Sequence, residues 1–241
     1  TLMLFLSQSV MVLSIVGSTS DTPSILGEFV ETRSDTTHNG NGTAWMASDI
    51  NSGAGASSTP MVWMTTLVGD TIYFDADLTV QGRELWAHDT SNSSTWQVTQ
   101  IAGMSIDSYP GQYMEILVGD TIYFSAYSQS SGHELWAHDT SNSSTWQVTE
   151  LNAGSADSNP GEYLQILVGD TLYFSAQTSG SGDTELWAHD TSNSSTWLVD
   201  DIRSGSQSSD PGEYLQILVG DTIYFDAEGG SNNRELWAHD T

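Results

Sequence analysis

Asparagine recurs at a fixed spacing in this 241-residue chain, each time in a context that can carry sugar. Asn41, Asn92, Asn142 and Asn193 each open an Asn-x-Ser/Thr triplet, and each lies four residues before a tryptophan. Such a triplet is the acceptor for N-linked glycans, although it is common by chance. Asn and Ser also favour turns for purely structural reasons. We predict that the four triplets occupy exposed turns and that their asparagines are glycosylated.

Histidine also recurs once per repeat, at His88, His138, His189 and His239. A metal site would need several imidazoles converging on one ion at about 2.0–2.1 Å. Each histidine instead follows a tryptophan by two residues, so the two side chains lie on the same face of one strand. That strand is the third of its repeat, which we expect to lie away from the axis around which the repeats would be arranged. We therefore interpret the histidines as half-exposed packing residues, and no metal site is predicted.

Acidic pairs occur in only two of the repeats, at Asp75 with Asp77 and at Asp226 with Glu228. Surface acidity is the interpretation that we favour, and no cofactor is predicted; loosely bound calcium is the alternative. The sequence contains no recognisable Ser-His-Asp or Cys-His constellation and no phosphate-binding glycine loop. Near-identical repeats also argue against a single active site. We predict a protein that is not an enzyme, with a glycan hydrolase as the remaining enzymatic alternative.

The overall charge excludes two classes of partner. Four basic residues stand against 31 acidic ones, which gives a formal net charge of −27. Nucleic acid and anionic membrane surfaces require a cationic face, so neither is expected as a partner. The chain has no cysteine, so disulfides and thiolate metal sites are excluded.

A repeat of about 50 residues organises the chain. The phrase Glu-Leu-Trp-Ala-His-Asp-Thr begins at Glu84, Glu134, Glu185 and Glu235. In the second repeat, 113–118, 121–126, 134–139 and 145–151 are short β-branched or aromatic runs, and a Gly-Asp turn separates the first two. These are the signals of four antiparallel strands.

Four strands per repeat predict an all-β fold, a four-bladed β-propeller. The segment from Thr43 to Ile50 has the sequence of a lone fourth strand, whereas the last repeat ends at its third strand. We predict that strand 43–50 pairs with the C-terminal blade and closes the ring within one chain. A β-solenoid or an open array would show the same local signals.

The repeat resembles a named family. The ELWAHDT phrase, the tryptophan strand after it and the VGDTIYFSA hairpin resemble the ELWxxDGT repeat over residues 43–241. This chain lacks the Gly of that motif, for example after Asp89. The resemblance implies a β architecture on a secreted or surface protein of bacteria or archaea, and it implies no reaction.

The first 33 residues are of another kind. From Leu2 to Val16 the chain has no charge, and we predict an apolar α-helix there, followed by a linker at 34–42. The segment resembles the N-terminus of archaeal type IV pilins, although Phe5 stands where bacterial pilins usually carry Glu. A signal peptide, a membrane anchor and a strand donated to a neighbour are the alternatives. The predicted polymerisation residues are Leu2, Leu4, Phe5, Leu6, Val10, Val12, Leu13 and Ile15.

Together these features predict an extracellular structural protein. N-terminal helices would form the core of a helical homopolymer, a pilus-like filament, and glycosylated propellers would form its outer surface. The alternative is a surface-anchored adhesin that recognises glycans or another cell through exposed Trp and Tyr side chains.

Overall fold

The computed structural model describes residues 44–241, except 54, 179–181 and 231–232. Nearly all of these residues belong to one compact unit, Met46–Thr241. The predicted N-terminal helix, the linker and Asn41 lie outside the described residues. Within the described part, no helix has the length and apolar character that crossing a bilayer requires.

The described chain is all-β, as the sequence predicts, and each repeat forms one antiparallel sheet. Sheets 1, 2 and 3 have four strands in chain order, and sheet 4 has three. Sheet 1 contains β1 (Thr65–Val68), β2 (Thr71–Leu78), β3 (Gly82–Asp89) and β4 (Ser94–Gln97). Sheet 2 contains β5 (Glu115–Val118), β6 (Thr121–Ser128), β7 (Gly132–Asp139) and β8 (Ser144–Gln147). Sheet 3 contains β9 (Gln165–Val168), β10 (Thr171–Thr178), β11 (Asp183–Asp190) and β12 (Ser195–Asp200). Sheet 4 contains β13 (Gln216–Val219), β14 (Thr222–Glu228) and β15 (Arg234–Asp240).

The Gly-Asp pairs form the predicted tight turns between the first two strands of each sheet. In sheet 2, Val118 pairs with Thr121, so only Gly119 and Asp120 lie in the loop. Gly119 has a φ of 59°, a conformation that costs glycine little. A positive φ at the first central position is what a type II′ hairpin turn requires.

The sheets pack face to face in chain order. Met64 and Leu85 of sheet 1 lie in one buried cluster with Ile122 and Phe124 of sheet 2. The same arrangement joins sheet 2 to sheet 3 and sheet 3 to sheet 4. Because strand residues alternate between two faces, each inner sheet buries one face against the sheet before it and the other against the sheet after it.

Glycines in the loops between sheets permit this close packing. A Cβ on Gly111 would lie 2.7 Å from Cβ of Met64, and a Cβ on Gly161 would lie 2.7 Å from Cβ of Met114. Gly212 stands in the same relation to Leu164, at 2.8 Å. Each of these glycines follows a proline in its repeat.

The predicted closing strand is not formed. Residues 44–50 form no strand, and sheet 4 has three strands, so the ring is not closed in this way. The face of sheet 1 that corresponds to the receiving face of the inner sheets is covered differently, since Phe74, Ala76 and Trp86 are buried there with Ile50 packed against them. Met61 stands at the position of Gly111 and Gly161. Thr65 stands at the position of Glu115 and Gln165, whose longer side chains reach the preceding sheet.

Candidate functional site

The turn between the third and fourth strands is the part of each repeat that best fits a modification site. In sheet 1 it begins at Asp89, where Oδ1 accepts hydrogen bonds from Ser91 N at 2.8 Å and from Ser91 Oγ at 2.6 Å. Asn92 Nδ2 donates to Asp89 Oδ2 at 2.6 Å, and Asn92 Oδ1 accepts from Ser94 N at 2.8 Å. The asparagine therefore has a fixed position on an exposed turn.

The other two turns repeat this geometry. Asn142 donates to Asp139 and Asn193 donates to Asp190, each at 2.6 Å. An asparagine amide has two hydrogens, and attachment of a sugar would leave one of them for this hydrogen bond. The hydrogen bonds from the serine also lower the pKa of the aspartate at the start of each turn. The prediction that these three asparagines lie in exposed turns is confirmed.

An exposed tryptophan accompanies each of these turns. Trp96, Trp146 and Trp197 lie on the fourth strands, each about 40 % exposed. An aromatic ring left in solvent at the same position of three successive sheets is a surface on which an apolar or sugar face can stack.

The histidines are packing residues, but two of them are more buried than the sequence predicts. His138 and His189 are each 2 % exposed. The ring of His138 lies 5.5 Å from that of Tyr73 in the preceding sheet, and its Nδ1 is 2.8 Å from Thr145 Oγ1. Burial lowers the pKa of both histidines. In the part of the chain that the structure describes, no three His, Asp or Glu side chains group as metal ligands would.

One member of each acidic pair is buried and does not contribute to the acidic surface that we predicted. Asp75 is fully buried, accepts hydrogen bonds from Trp63 N and Met64 N at 2.9 Å, and is paired with Arg83. Asp226 pairs with Arg234 at 2.8 Å. In sheet 2 a neutral Ser125 Oγ takes this place and accepts from Tyr113 N at 2.9 Å. The aspartates are therefore structural residues, and each occurs in a repeat that supplies an arginine.

Sequence reasoning missed a buried glutamate that joins each of the first three sheets to the loop that follows it. Glu84, Glu134 and Glu185, the first residue of the ELW phrase, are at most 2 % exposed. Glu134 Oε2 accepts from Leu151 N at 3.0 Å and from Ser158 Oγ at 2.7 Å. Burial raises the pKa of Glu134 and of Glu185 to about 7, against the effect of these hydrogen bonds. The available signal was a glutamate followed by a serine 24 residues later in the first three repeats.

Comparisons with known proteins add little to this geometry. No protein-family model matches the chain, and no curated protein matches it. Among solved structures, TolB from Acinetobacter baumannii is 16 % identical, with a TM-score of 0.40 over 71 % of this chain and 38 % of that one. A puromycin hydrolase S511A mutant complexed with PGG is 10 % identical, with a TM-score of 0.49 over 77 % of this chain and 27 % of that one. The chain thus spans well under half the length of either structure.

Proposed function

We propose that the protein is a structural subunit of an extracellular filament. The observation that carries the proposal is the uncharged stretch from Leu2 to Val16, which is unlike the rest of the chain. As a helix of about 22 Å, at ~1.5 Å per residue, it would present apolar side chains to neighbouring copies. Burying one leucine-sized side chain contributes roughly 1.5–3 kcal/mol, so burial of the eight predicted polymerisation residues would stabilise the contacts between subunits.

The repeated sheets would act as the outer part of that subunit, arranged as propeller blades. The first strands of neighbouring sheets are joined side by side by the side chain of the first residue in the later strand. Gln165 Oε1 accepts from Glu115 N at 3.2 Å, and Gln216 Oε1 accepts from Gln165 N at 2.9 Å. First strands that lie together are what blades around a common axis require. The polar residues that repeat in the sheets hold the sheets together, which favours a scaffold.

Sugars on the three described turns would cover the end of the hairpin that the third and fourth strands form in sheets 1, 2 and 3. The exposed position of Asn92, Asn142 and Asn193 supports this part of the proposal. Mass spectrometry of the purified protein is expected to find glycan on the peptides that contain them. Unmodified peptides at every site would contradict it.

The filament proposal is tested by placing charge in the apolar segment. We expect Val10→Asp with Val12→Asp to abolish the filaments seen by electron microscopy, because two carboxylates would be buried without partners. Val80→Asp is the matched control, since Val80 is exposed at the tip between β2 and β3. Filaments that persist in the Val10/Val12 variant would contradict the proposal.

A second candidate is a surface-anchored adhesin, favoured by the row of exposed tryptophans on β4, β8 and β12. In that case the chain would bind to a glycan array as a monomer. Replacing Trp96, Trp146 and Trp197 together by alanine would then remove the binding, and an array without any bound glycan would exclude this candidate.

A further inference from the structure

One proline lies in the loop before the first strand of each sheet, and the residue before that proline differs in all four loops. The pairs are Thr59-Pro60, Tyr109-Pro110, Asn159-Pro160 and Asp210-Pro211. Asp-Pro occurs once in the whole sequence. It is the peptide bond that acid hydrolyses most easily, because the aspartate carboxyl can close a five-membered ring on its own carbonyl carbon and the proline nitrogen is a good leaving group.

The residue before each of these prolines has an unusual backbone conformation. The φ values are 35°, 48°, 45° and 46° in chain order, all in the left-handed region. A residue with a side chain rarely adopts this region, and a proline after it restricts its backbone further. The fold therefore holds each of the four bonds under strain that hydrolysis would release. Because all four share it, the strain alone does not distinguish Asp210-Pro211.

A fixed arginine lies against the carbonyl group of the Asp210-Pro211 bond. Arg234 Nη1 donates to Asp210 O at 2.9 Å. Two carboxylates hold the guanidinium in place, Asp226 at 2.8 Å and Glu213 at 2.6 Å. A charged donor in this position stabilises the negative charge that develops on the carbonyl oxygen when its carbon is attacked.

The corresponding bonds of the other sheets lack the arginine, the carboxyl or both. Thr59 O accepts from Arg83 Nη1 at 2.9 Å, but threonine has no carboxyl. Tyr109 O and Asn159 O accept instead from a backbone N–H three residues on, at 3.2 Å and 3.3 Å. Among the four bonds in the described part of the chain, Asp210-Pro211 alone combines the internal nucleophile with the charged donor.

The surroundings of Asp210 favour its neutral carboxyl. Burial is the main cause that raises its pKa, and the negative glutamates nearby add to the rise, whereas the guanidinium opposes it. The charged and titratable groups that face it are Arg234, Glu213, Glu228, Glu162 and Tyr163. Because the neutral carboxyl carries the proton that the leaving nitrogen needs, the reactive form is present at a higher pH than in an unfolded chain.

We propose that the Asp210-Pro211 bond is a self-cleavage site, at which the chain cuts itself in mild acid. The Asp210 carboxyl oxygen attacks the Asp210 carbonyl carbon, the C–N bond to Pro211 breaks, and the carboxyl proton passes to the proline nitrogen. One water then opens the cyclic anhydride, which restores the side-chain carboxyl and leaves a second carboxyl as the new C-terminus. The products are residues 1–210 and 211–241, and water is the one reactant consumed.

The cut separates sheet 4 from sheet 3 along the chain. Sheet 4 would then be held to sheet 3 by noncovalent contacts such as the apolar cluster of Leu164, Ile223 and Phe225. The proposal goes beyond the filament function and does not rest on it, because it involves no residue before Met46.

The test follows the intact mass of the purified chain at about pH 4. We expect the fragments 1–210 and 211–241 to form at least about tenfold faster than a synthetic peptide of residues 205–216 is cut, since the peptide contains the same bond without Arg234. The rate is expected to rise as the pH falls, and Asn159-Pro160 in the same molecule should stay intact. A folded chain that is cut no faster than the peptide, or equally at both bonds, would overturn the proposal.

Two variants separate the parts of the site. Asp210→Glu keeps a carboxyl but requires a six-membered ring, so we expect the rate to fall at least about tenfold. Arg234→Gln removes the donor and is expected to bring the rate down to that of the peptide. Arg83→Gln is the matched control, because it removes the equivalent arginine of sheet 1 and should leave the cut at Asp210 unchanged.

The thermal midpoint of each variant establishes whether it is folded. A folded Arg234→Gln variant, or an Asp210→Glu variant, that is cut at the rate of the parent chain would overturn the proposal. If Arg234→Gln does not fold, the parent chain measured against the peptide and against Asp210→Glu decides the outcome.

Discussion

At the scale of single residues, the polar side chains that recur in every repeat hold neighbouring parts of the sheets together. Glu134 receives hydrogen bonds from the loop that leads to the next sheet, and His138 packs on a tyrosine of the sheet before it. Recurrence in a sequence thus marked packing positions, whereas the exposed asparagines and tryptophans are the recurring residues that remain available to a partner.

The buried glutamates make stability depend on pH. The folded pKa of Glu134 and Glu185 is about 7, above the ordinary value of 4.5, so folding favours the protonated carboxyl. Their contribution to the free energy of unfolding is therefore fully present below about pH 4.5 and is lost as the pH rises towards 7. We expect the thermal midpoint to fall between pH 5 and pH 7.5.

The matched variant carries Glu134→Gln and Glu185→Gln, which removes both titrations. Its midpoint is expected to fall less over the same interval, measured in high salt so that repulsion among the exposed carboxylates is screened. If the variant and the parent chain show the same dependence, the two glutamates are not the titrating groups.

At the scale of strands and turns, the sequence predicts most of what forms. Alternating β-branched and aromatic residues define the strands, and Gly-Asp places the hairpin turns, because both signals are local. The roles of Asp75 and Glu84 were not predictable in this way, since their partners lie in other strands or loops. Arg83 was the one available clue for Asp75, because arginine occurs at this position only in the two repeats with the aspartate.

The loop glycines provide a test of the stacking at this scale. We expect Gly161→Ala to destabilise the protein by about 2 kcal/mol or more, because its Cβ would lie 2.7 Å from Cβ of Met114 at a φ of 82°. Gly169→Ala is the control: its φ is 58°, and a Cβ there would meet no atom within 4 Å.

The free energy of unfolding of the control should therefore fall only by the cost of the positive φ, roughly 1 kcal/mol. Urea unfolding at equilibrium measures both variants. Equal losses in the two would show that close packing between sheets 2 and 3 contributes nothing beyond backbone strain.

At the scale of the whole molecule, the repeat predicts four similar sheets, and their order in the stack follows the chain. The way the stack ends was not predictable from the repeat alone. Residues 44–50 form no strand, and the face of sheet 1 with Phe74, Ala76 and Trp86 packs against Ile50, contacts to which the local strand pattern is insensitive.

The position of residues 1–17 in an assembled filament is the measurement that tests the proposed function most directly. Cryo-electron microscopy of filaments formed by the intact chain is expected to show these residues as helices packed together along the filament axis, with the β-sheets outside. Filaments whose axial contacts are made by the sheets, with residues 1–17 at the surface, would contradict the proposal.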